Sequence, residues 1–308
     1  MVNDSHCHFF SSPFLELLTQ AVPDLPTSGR AAVVASRLGW SDPGSPEALS
    51  QAWVNELDRH GVARAALIAS IPGDEDSVAE AVRLHPGRFV GFFMFNPQAP
   101  GGAERLERAF ADLGMRCVCL FPAMHRYRLD DERVGKVFEA AARHRAAVFV
   151  HCGVLTVGVR SKLGLPSSFD LRLGDPLTVA VMAASFPQVP VIIPHFGAGL
   201  FREALMAADQ CHNVHLDTSS SNGWMKYYPG LTLDAVFRQA LAVAGSQRLV
   251  FGSDSSFFPR GWQKPVYDAQ VAAMKSIGVN DEDRALIFGG NFERLFAPAA
   301  STSPAVST

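Results

Sequence analysis

The chain predicts an α/β protein folded as a closed (β/α)8 barrel, a TIM barrel, with an insertion after its first strand. Short β-rich apolar runs alternate with amphipathic stretches nearly to the end of the chain. The runs are apolar at successive positions, the pattern of parallel strands covered on both faces. Eight strand-plus-helix units fit the roughly 250 residues such a barrel takes, within a chain of 308.

The first strand is predicted at residues 2–6, followed by 64–70 (Arg-Ala-Ala-Leu-Ile-Ala-Ser), 88–95 (Arg-Phe-Val-Gly-Phe-Phe-Met-Phe) and 115–121. The second half supplies 147–151 (Ala-Val-Phe-Val-His), 190–195 (Pro-Val-Ile-Ile-Pro-His), 213–218 and 248–254 (Arg-Leu-Val-Phe-Gly-Ser-Asp). Helical patterns fall between them at 47–60, 76–85, 103–113, 131–144, 176–186 and 269–277, many opening near Asp, Ser or Pro and closing near Gly or Pro. Residues 9–46, rich in Pro, Ser and Gly, form the insertion, and Phe9, Phe10 and Trp40 within it suggest an apolar lid, with core packing the alternative for at least one. Residues 1–297 are expected to be one domain and 298–308 a disordered tail. A doubly wound open sheet is the alternative, but no glycine-rich phosphate fingerprint follows any strand.

Composition narrows the function. With 48% apolar and 19% charged residues the chain is not disordered, and a net charge of −3 gives no reason to expect nucleic acid or an anionic membrane. No apolar run reaches the roughly 18 residues of a spanning helix, and the start lacks the features of a secretory signal. Five cysteines, at 7, 117, 119, 152 and 211, read as free thiols in a reducing, cytoplasmic setting. Cys117 and Cys119, in an apolar strand, read as core.

The chemistry lies at strand ends. His6 and His8 share a strand face with Cys7 opposite. His151, His195 and Asp254 close the fifth, sixth and eighth strands, at the carboxyl ends where a barrel places its active site. Each alone reads as a satisfied core histidine or a strand-end cap; together they point to a metal. Imidazole and carboxylate suit Zn²⁺ first, with Mn²⁺ or Fe²⁺ next. Asp217 shares a face with His215 near the end of the seventh strand and reads as a supporting residue at most. His60, His85 and His144 end helical patterns and receive no role.

The sequences Asp-Ser-His-Cys-His-Phe-Phe, Val-His-Cys-Gly, Pro-His-Phe-Gly and Phe-Gly-Ser-Asp resemble those of the amidohydrolase superfamily, most closely the branch related to aminocarboxymuconate semialdehyde decarboxylase. The closing Ile-Phe-Gly-Gly-Asn-Phe-Glu-Arg-Leu-Phe is similar to that branch's last helix, and the likeness spans residues 2 to 297. The resemblance implies one divalent metal held by His6, His8, His151 and Asp254, with His195 beside it. The bridging Lys or Glu of two-metal members is missing at 119–122 (Cys-Leu-Phe-Pro), which implies a mononuclear site.

Asp254 and His195 are the expected catalytic residues. Hydrolysis of a small carboxylate-bearing ester, lactone or amide is the first reading. Non-oxidative decarboxylation of an unsaturated or aromatic acid is the second, and a non-catalytic metal-binding barrel the third. Arg160, Lys162 and Arg172 form a cationic loop able to bind a substrate carboxylate, or else a solvated loop. His125, Arg260 and Trp262, with Arg126 and Trp224, sit at the same end of the barrel as candidate substrate contacts or buttresses. The expected partner is a small anionic molecule; a homodimer is allowed but not required.

Overall fold

The computed structural model describes residues 1–220 and 222–296; the expected tail at 298–308 lies outside the described residues. The first half runs β1 (Val2–Phe9), α1 (Ser12–Thr19), α2 (Arg30–Leu38), α3 (Pro46–His60), β2 (Val62–Ala69), α4 (Glu75–Leu84), β3 (Phe89–Phe95), α5 (Gly102–Ala111), β4 (Cys117–Leu120), α6 (Pro122–His125) and α7 (Glu132–His144). The second half runs β5 (Ala147–Val150), α8 (Gly158–Lys162), α9 (Pro176–Ser185), β6 (Val191–Ile193), α10 (Phe201–Gln210), β7 (Val214–Asp217), α11 (Leu233–Ala244), β8 (Leu249–Val250), β9 (Ser255–Ser256), α12 (Phe257–Arg260), α13 (Lys264–Ser276), α14 (Asp281–Ala285) and α15 (Asn291–Phe296).

The strands pair in parallel in the order β8-β7-β6-β5-β4-β3-β2-β1-β9, so each lies beside its neighbour in sequence. The outermost segments are two parts of one run. β8 pairs with β7 through Leu216↔Leu249 and Asp217↔Val250, while β9 pairs with β1 through Cys7↔Ser255 and His8↔Ser256. Ser5 N also donates to Phe251 O at 2.9 Å, and the ring closes into a TIM barrel.

The eighth strand, expected to be continuous over 248–254, is therefore broken. Asp254 has φ 56°, a left-handed conformation that ends extended pairing but that aspartate tolerates better than most residues. The buried Asp4 carboxylate holds the break by accepting from Ser253 N (3.1 Å), Ser253 Oγ, His6 N (2.9 Å) and Trp262 Nε1 (2.7 Å).

Alternation along the strands separates two cores. Val90, Phe92, Cys117, Cys119, Ala147, Phe149 and Ile192 fill the barrel, while Cys7, Phe9, Leu67, Phe93 and Val118 face the helices. Phe9 thus belongs to the helix-facing core, not to the lid. The ends of β1 and β2 opposite the histidines are tied to the last helix: Glu293 accepts from Asn3 Nδ2 (2.8 Å) and Arg64 Nη1 (2.6 Å), and Phe292 and Phe296 join the barrel-filling core. The closing motif is in this sense a plug.

The insertion has a core of its own. Phe14, Leu15, Leu18, Val34, Leu38 and Trp40 pack with Leu163 and Leu165 from the segment after β5. Ser11 caps α1 by accepting from Phe14 N at 2.9 Å and donates to Asp74 Oδ2 at 2.6 Å, fastening the insertion to the loop after β2. Phe10 stacks on Trp40 (5.0 Å, 18°) and on His8 (5.5 Å, 12°), so the lid's aromatic face reaches the predicted site.

Candidate metal centre

β1 turns His6 and His8 into the barrel, and their ring centroids lie 5.3 Å apart. Their Nε2 atoms both face Asp254 Oδ1, at 3.6 Å from His6 and 3.1 Å from His8. The rings are held from behind. His6 Nδ1 lies 3.0 Å from Asp217 Oδ2, a buried carboxylate that can only accept. Ser70 Oγ donates to Ile68 O at 2.9 Å, so at His8 Nδ1, 2.7 Å away, it accepts. Both Nδ1 atoms therefore carry hydrogen, and in the neutral rings both Nε2 atoms present lone pairs toward a carboxylate oxygen. A cation between them, a proton on a ring or a metal ion, satisfies that arrangement, and histidines oriented by hydrogen bonds to their far nitrogens are the usual surroundings of a metal.

His195 and His151 complete the cluster. The His195 ring lies 5.0 Å from His6 and 5.3 Å from His151, which stacks against Phe121 at 5.4 Å. The sets of three with all ligand atoms within 4.8 Å of one another, among the described residues, are His6, His8 and Asp254, and His6, His195 and Asp217. His151 stands outside both sets. Its Nδ1 is buried without a hydrogen-bond partner, a costly state for a polar atom.

Charges follow these contacts. Burial opposes protonation of His6, but Asp217, then Asp254 and Asp4, raise it to about 9. Burial, with the neighbouring His195 and His6, pushes His151 well below the usual histidine range, and burial likewise lowers His195. Burial would raise Asp254, but its hydrogen bond with His8 and the charges of His6 and His195 hold it below the usual carboxylate range. A third of the Asp254 side chain remains exposed, so it is reachable from the mouth. The donors suit a divalent cation, which would displace any ring proton: two imidazole Nε2 atoms facing one ionised carboxylate, with no ammonium group among these contacts.

The other predicted residues are placed as follows. Lys162 Nζ donates to Leu38 O (3.3 Å) at the end of α2, and Arg160 donates to Pro166 O (3.1 and 2.6 Å). Arg172 is exposed and paired with Asp170 (2.7 Å). Each is thus engaged locally, two of them in holding the lid and its neighbouring loop. Trp262 is buried against Phe251 and Tyr267 with its Nε1 given to Asp4. Trp224 is buried between Phe201 and Tyr228. His125 has a buried, unpartnered Nδ1, and burial lowers it to about 4. Arg126 ends α6 in a left-handed conformation (φ 58°). Arg260 is exposed beside the centre, its Nη2 3.5 Å from Asp254 O.

Ser70, Ser219 and Asp4 escaped the sequence reading, and Asp217, read there as a supporting residue at most, holds His6. A signal existed for Ser219: it is two residues beyond Asp217, hence on the same face at the end of β7, and its N donates to Asp217 Oδ1 at 2.6 Å.

A closed parallel barrel with histidines and an aspartate gathered where its strands end is the architecture of a barrel enzyme. The chain belongs to the amidohydrolase family, whose model, described as Amidohydrolase, matches residues 4–297. Among solved structures it is similar to 5-carboxyvanillate decarboxylase from Sphingomonas paucimobilis, at 17% identity and TM-score 0.65 over 97% of this chain and 99% of that one. It is similar also to a protein named as a probable 2-pyrone-4,6-dicarboxylic acid hydrolase from Acinetobacter baumannii, with citric acid bound, at 14% identity and TM-score 0.61 over 96% and 98%. A Burkholderia multivorans amidohydrolase with bound zinc matches at 16% identity and TM-score 0.64 over 97% and 100%. The family is metal-dependent, and these neighbours include both a decarboxylase and a hydrolase. No helix among the described residues is long and apolar enough to cross a membrane.

Proposed function

We propose that the protein is a mononuclear metal-dependent hydrolase of small carboxylate-bearing esters, lactones or amides, with His6, His8, His151 and Asp254 as the metal ligands. The observation that carries this reading is the convergence of two Nε2 atoms on Asp254 Oδ1 while their Nδ1 atoms are held by Asp217 and Ser70. A divalent metal in this donor set, zinc first and manganese or iron next, supplies Lewis acidity and an acidified water. The end of β4 offers Cys119, Leu120 and Phe121, all buried, and no lysine or glutamate to bridge to a second ion.

Asp254, ionised and partly exposed, accepts the proton of the attacking water and returns it to the leaving group. His195 faces the same centre and hydrogen-bonds the oxygen on which charge develops. Phe10 and Trp40 cover the mouth with an apolar face that excludes bulk water. Arg260, beside Asp254, binds the substrate carboxylate.

Decarboxylation of an unsaturated or aromatic acid is the second reading, favoured by the likeness to a decarboxylase. Hydrolysis is preferred because Asp254 is reachable from the mouth, where a water can meet it, and no group among the described residues marks a decarboxylase substrate. Two measurements test the proposal. Metal analysis of protein never exposed to chelator should find about one equivalent of a transition metal, and less than about a tenth would refute the metal-enzyme reading. A panel of lactones, esters and unsaturated or aromatic carboxylates should then yield hydrolysis products; release of CO₂ with no hydrolytic product would establish the second reading instead.

A further inference from the structure

One hydroxyl joins two of the histidines. Ser219 Oγ lies 3.0 Å from His6 Nδ1 and 2.8 Å from His195 Nδ1, all three groups buried. A serine hydroxyl has one hydrogen to donate and two lone pairs with which to accept. His6 Nδ1 already carries a hydrogen, because the group opposite it is the Asp217 carboxylate at 3.0 Å, which only accepts. Toward His6, Ser219 can therefore only accept. Its single hydrogen is left for His195 Nδ1, its remaining hydrogen-bond partner among the described residues.

We propose that Ser219 is a positioning residue that fixes the tautomer of His195: Nδ1 accepts from the serine, and the neutral ring holds its hydrogen on Nε2. The inference rests on the reading of His195 as a group that meets the substrate, and it narrows what His195 does there. A neutral imidazole with hydrogen on Nε2 cannot take a proton at that nitrogen, and losing one would leave an imidazolate. His195 then acts as a hydrogen-bond donor to a substrate oxygen gaining negative charge. Proton transfer falls to Asp254. The division follows from one chain of contacts, Asp217 to His6 to Ser219 to His195, in which donation to His195 is what satisfies the buried Ser219 hydroxyl.

The test is ¹⁵N spectroscopy of histidine-labelled, zinc-loaded protein, with the His195 signals assigned by their loss in His195→Gln. The expected wild-type spectrum shows a bare Nδ1 and a hydrogen-bearing Nε2 for His195. Ser219→Ala should mix the two tautomers and lower kcat by about 10- to 100-fold, the range found when a partner that orients a site histidine is removed, with KM changed less than about threefold. Ser219→Thr, which keeps the hydroxyl, should restore the wild-type spectrum. Hydrogen on Nδ1 in the wild type, or a folded Ser219→Ala protein with an unchanged His195 spectrum, would overturn the assignment. The spectrum is readable with no substrate in hand, so failure of the proposed reaction and failure of this inference are told apart.

Discussion

Replacing Asp217 with asparagine probes the centre without changing its shape. The carboxylate accepts from two donors, His6 Nδ1 at 3.0 Å through Oδ2 and Ser219 N at 2.6 Å through Oδ1. Both partners and the carboxylate are buried. An amide has one oxygen, so Asp217→Asn can satisfy only one of the two. Turning its oxygen to Ser219 N leaves NH₂ facing His6 Nδ1, whose hydrogen then has only the Ser219 hydroxyl to accept it and whose ring is no longer held by a charged group. Turning it to His6 leaves the Ser219 N–H unpaired and exchanges a charged acceptor for a neutral one. A hydrogen bond to a charged group contributes about 1.5–3 kcal/mol. At about 1.4 kcal/mol per decade, that predicts metal affinity lowered by about 10- to 150-fold, in line with the loss expected when a ligand's orienting partner is removed. Competition with a chromogenic chelator gives the dissociation constants of wild type and variant directly. A constant within about twofold of wild type, in a folded variant, would show that His6 is not oriented through Asp217 and would undo the tautomer assignment on which the centre was built.

Further outcomes follow from single contacts. Asp254→Asn should abolish turnover while leaving the circular dichroism spectrum intact, and an active variant would show that the proton acceptor is another group. At Gly252 an added Cβ would stand 2.8 Å from His6 Cβ and 2.9 Å from Ser219 Cβ. Gly252→Ala should therefore cost about 1–3 kcal/mol of stability and weaken metal binding together, and an unchanged Tm and metal content would refute that crowding. Asp74, buried beneath the insertion, accepts from Ser11 (2.6 Å) and Ser77 (2.5 Å), and burial raises it to about 6 from 3.8. The folded value exceeds the unfolded one, so the neutral carboxyl is favoured by folding below about pH 4 and that contribution is lost as pH rises to 6. Asp74→Asn, a fixed neutral mimic, should gain up to about 3 kcal/mol at pH 8 and nothing near pH 4; equal melting temperatures at pH 8 would contradict the shift.

The barrel was legible because strand and helix periods differ, and each apolar run of Val, Ile and Phe falls within a few residues of an observed strand. His6, His8, His151, His195 and Asp254 were legible because each lies on a strand or within a few residues of its carboxyl end, the end this architecture turns to its mouth. Residues that act on other residues were not. Ser70 and Ser219 look like any strand-end serine, and what distinguishes them is where their single hydrogens go, which depends on Ile68 O and Asp217 brought close by neighbouring strands. The basic residues misled for the opposite reason. Charge is visible in sequence, but Lys162 spends its donor on Leu38 O, brought close by the packing of the insertion, and Arg172 spends its own on Asp170 two residues away.

The departures from the expected strands fall at the centre itself. β6 was expected to run through His195 but ends at Ile193, and the eighth strand parts at Asp254. Both residues are left-handed, at φ 55° and 56°, and Phe196 and Ala198 beside His195 are as well. Non-glycine residues held so cost about 1–3 kcal/mol each, and surrounding contacts must keep them there. Around Asp254 those contacts are visible: Asp4 pins Ser253 and Trp262, and β9 resumes pairing with β1 one residue later. An extended His195 or Asp254 would continue the ladder and direct its side chain by strand alternation alone. Leaving the ladder frees each side chain to turn to a shared point, His195 toward Ser219 and Asp254 toward His6 and His8. A periodic pattern cannot announce such a break, because the residues on either side of it still obey the pattern, and local regularity gives way at the positions that chemistry uses.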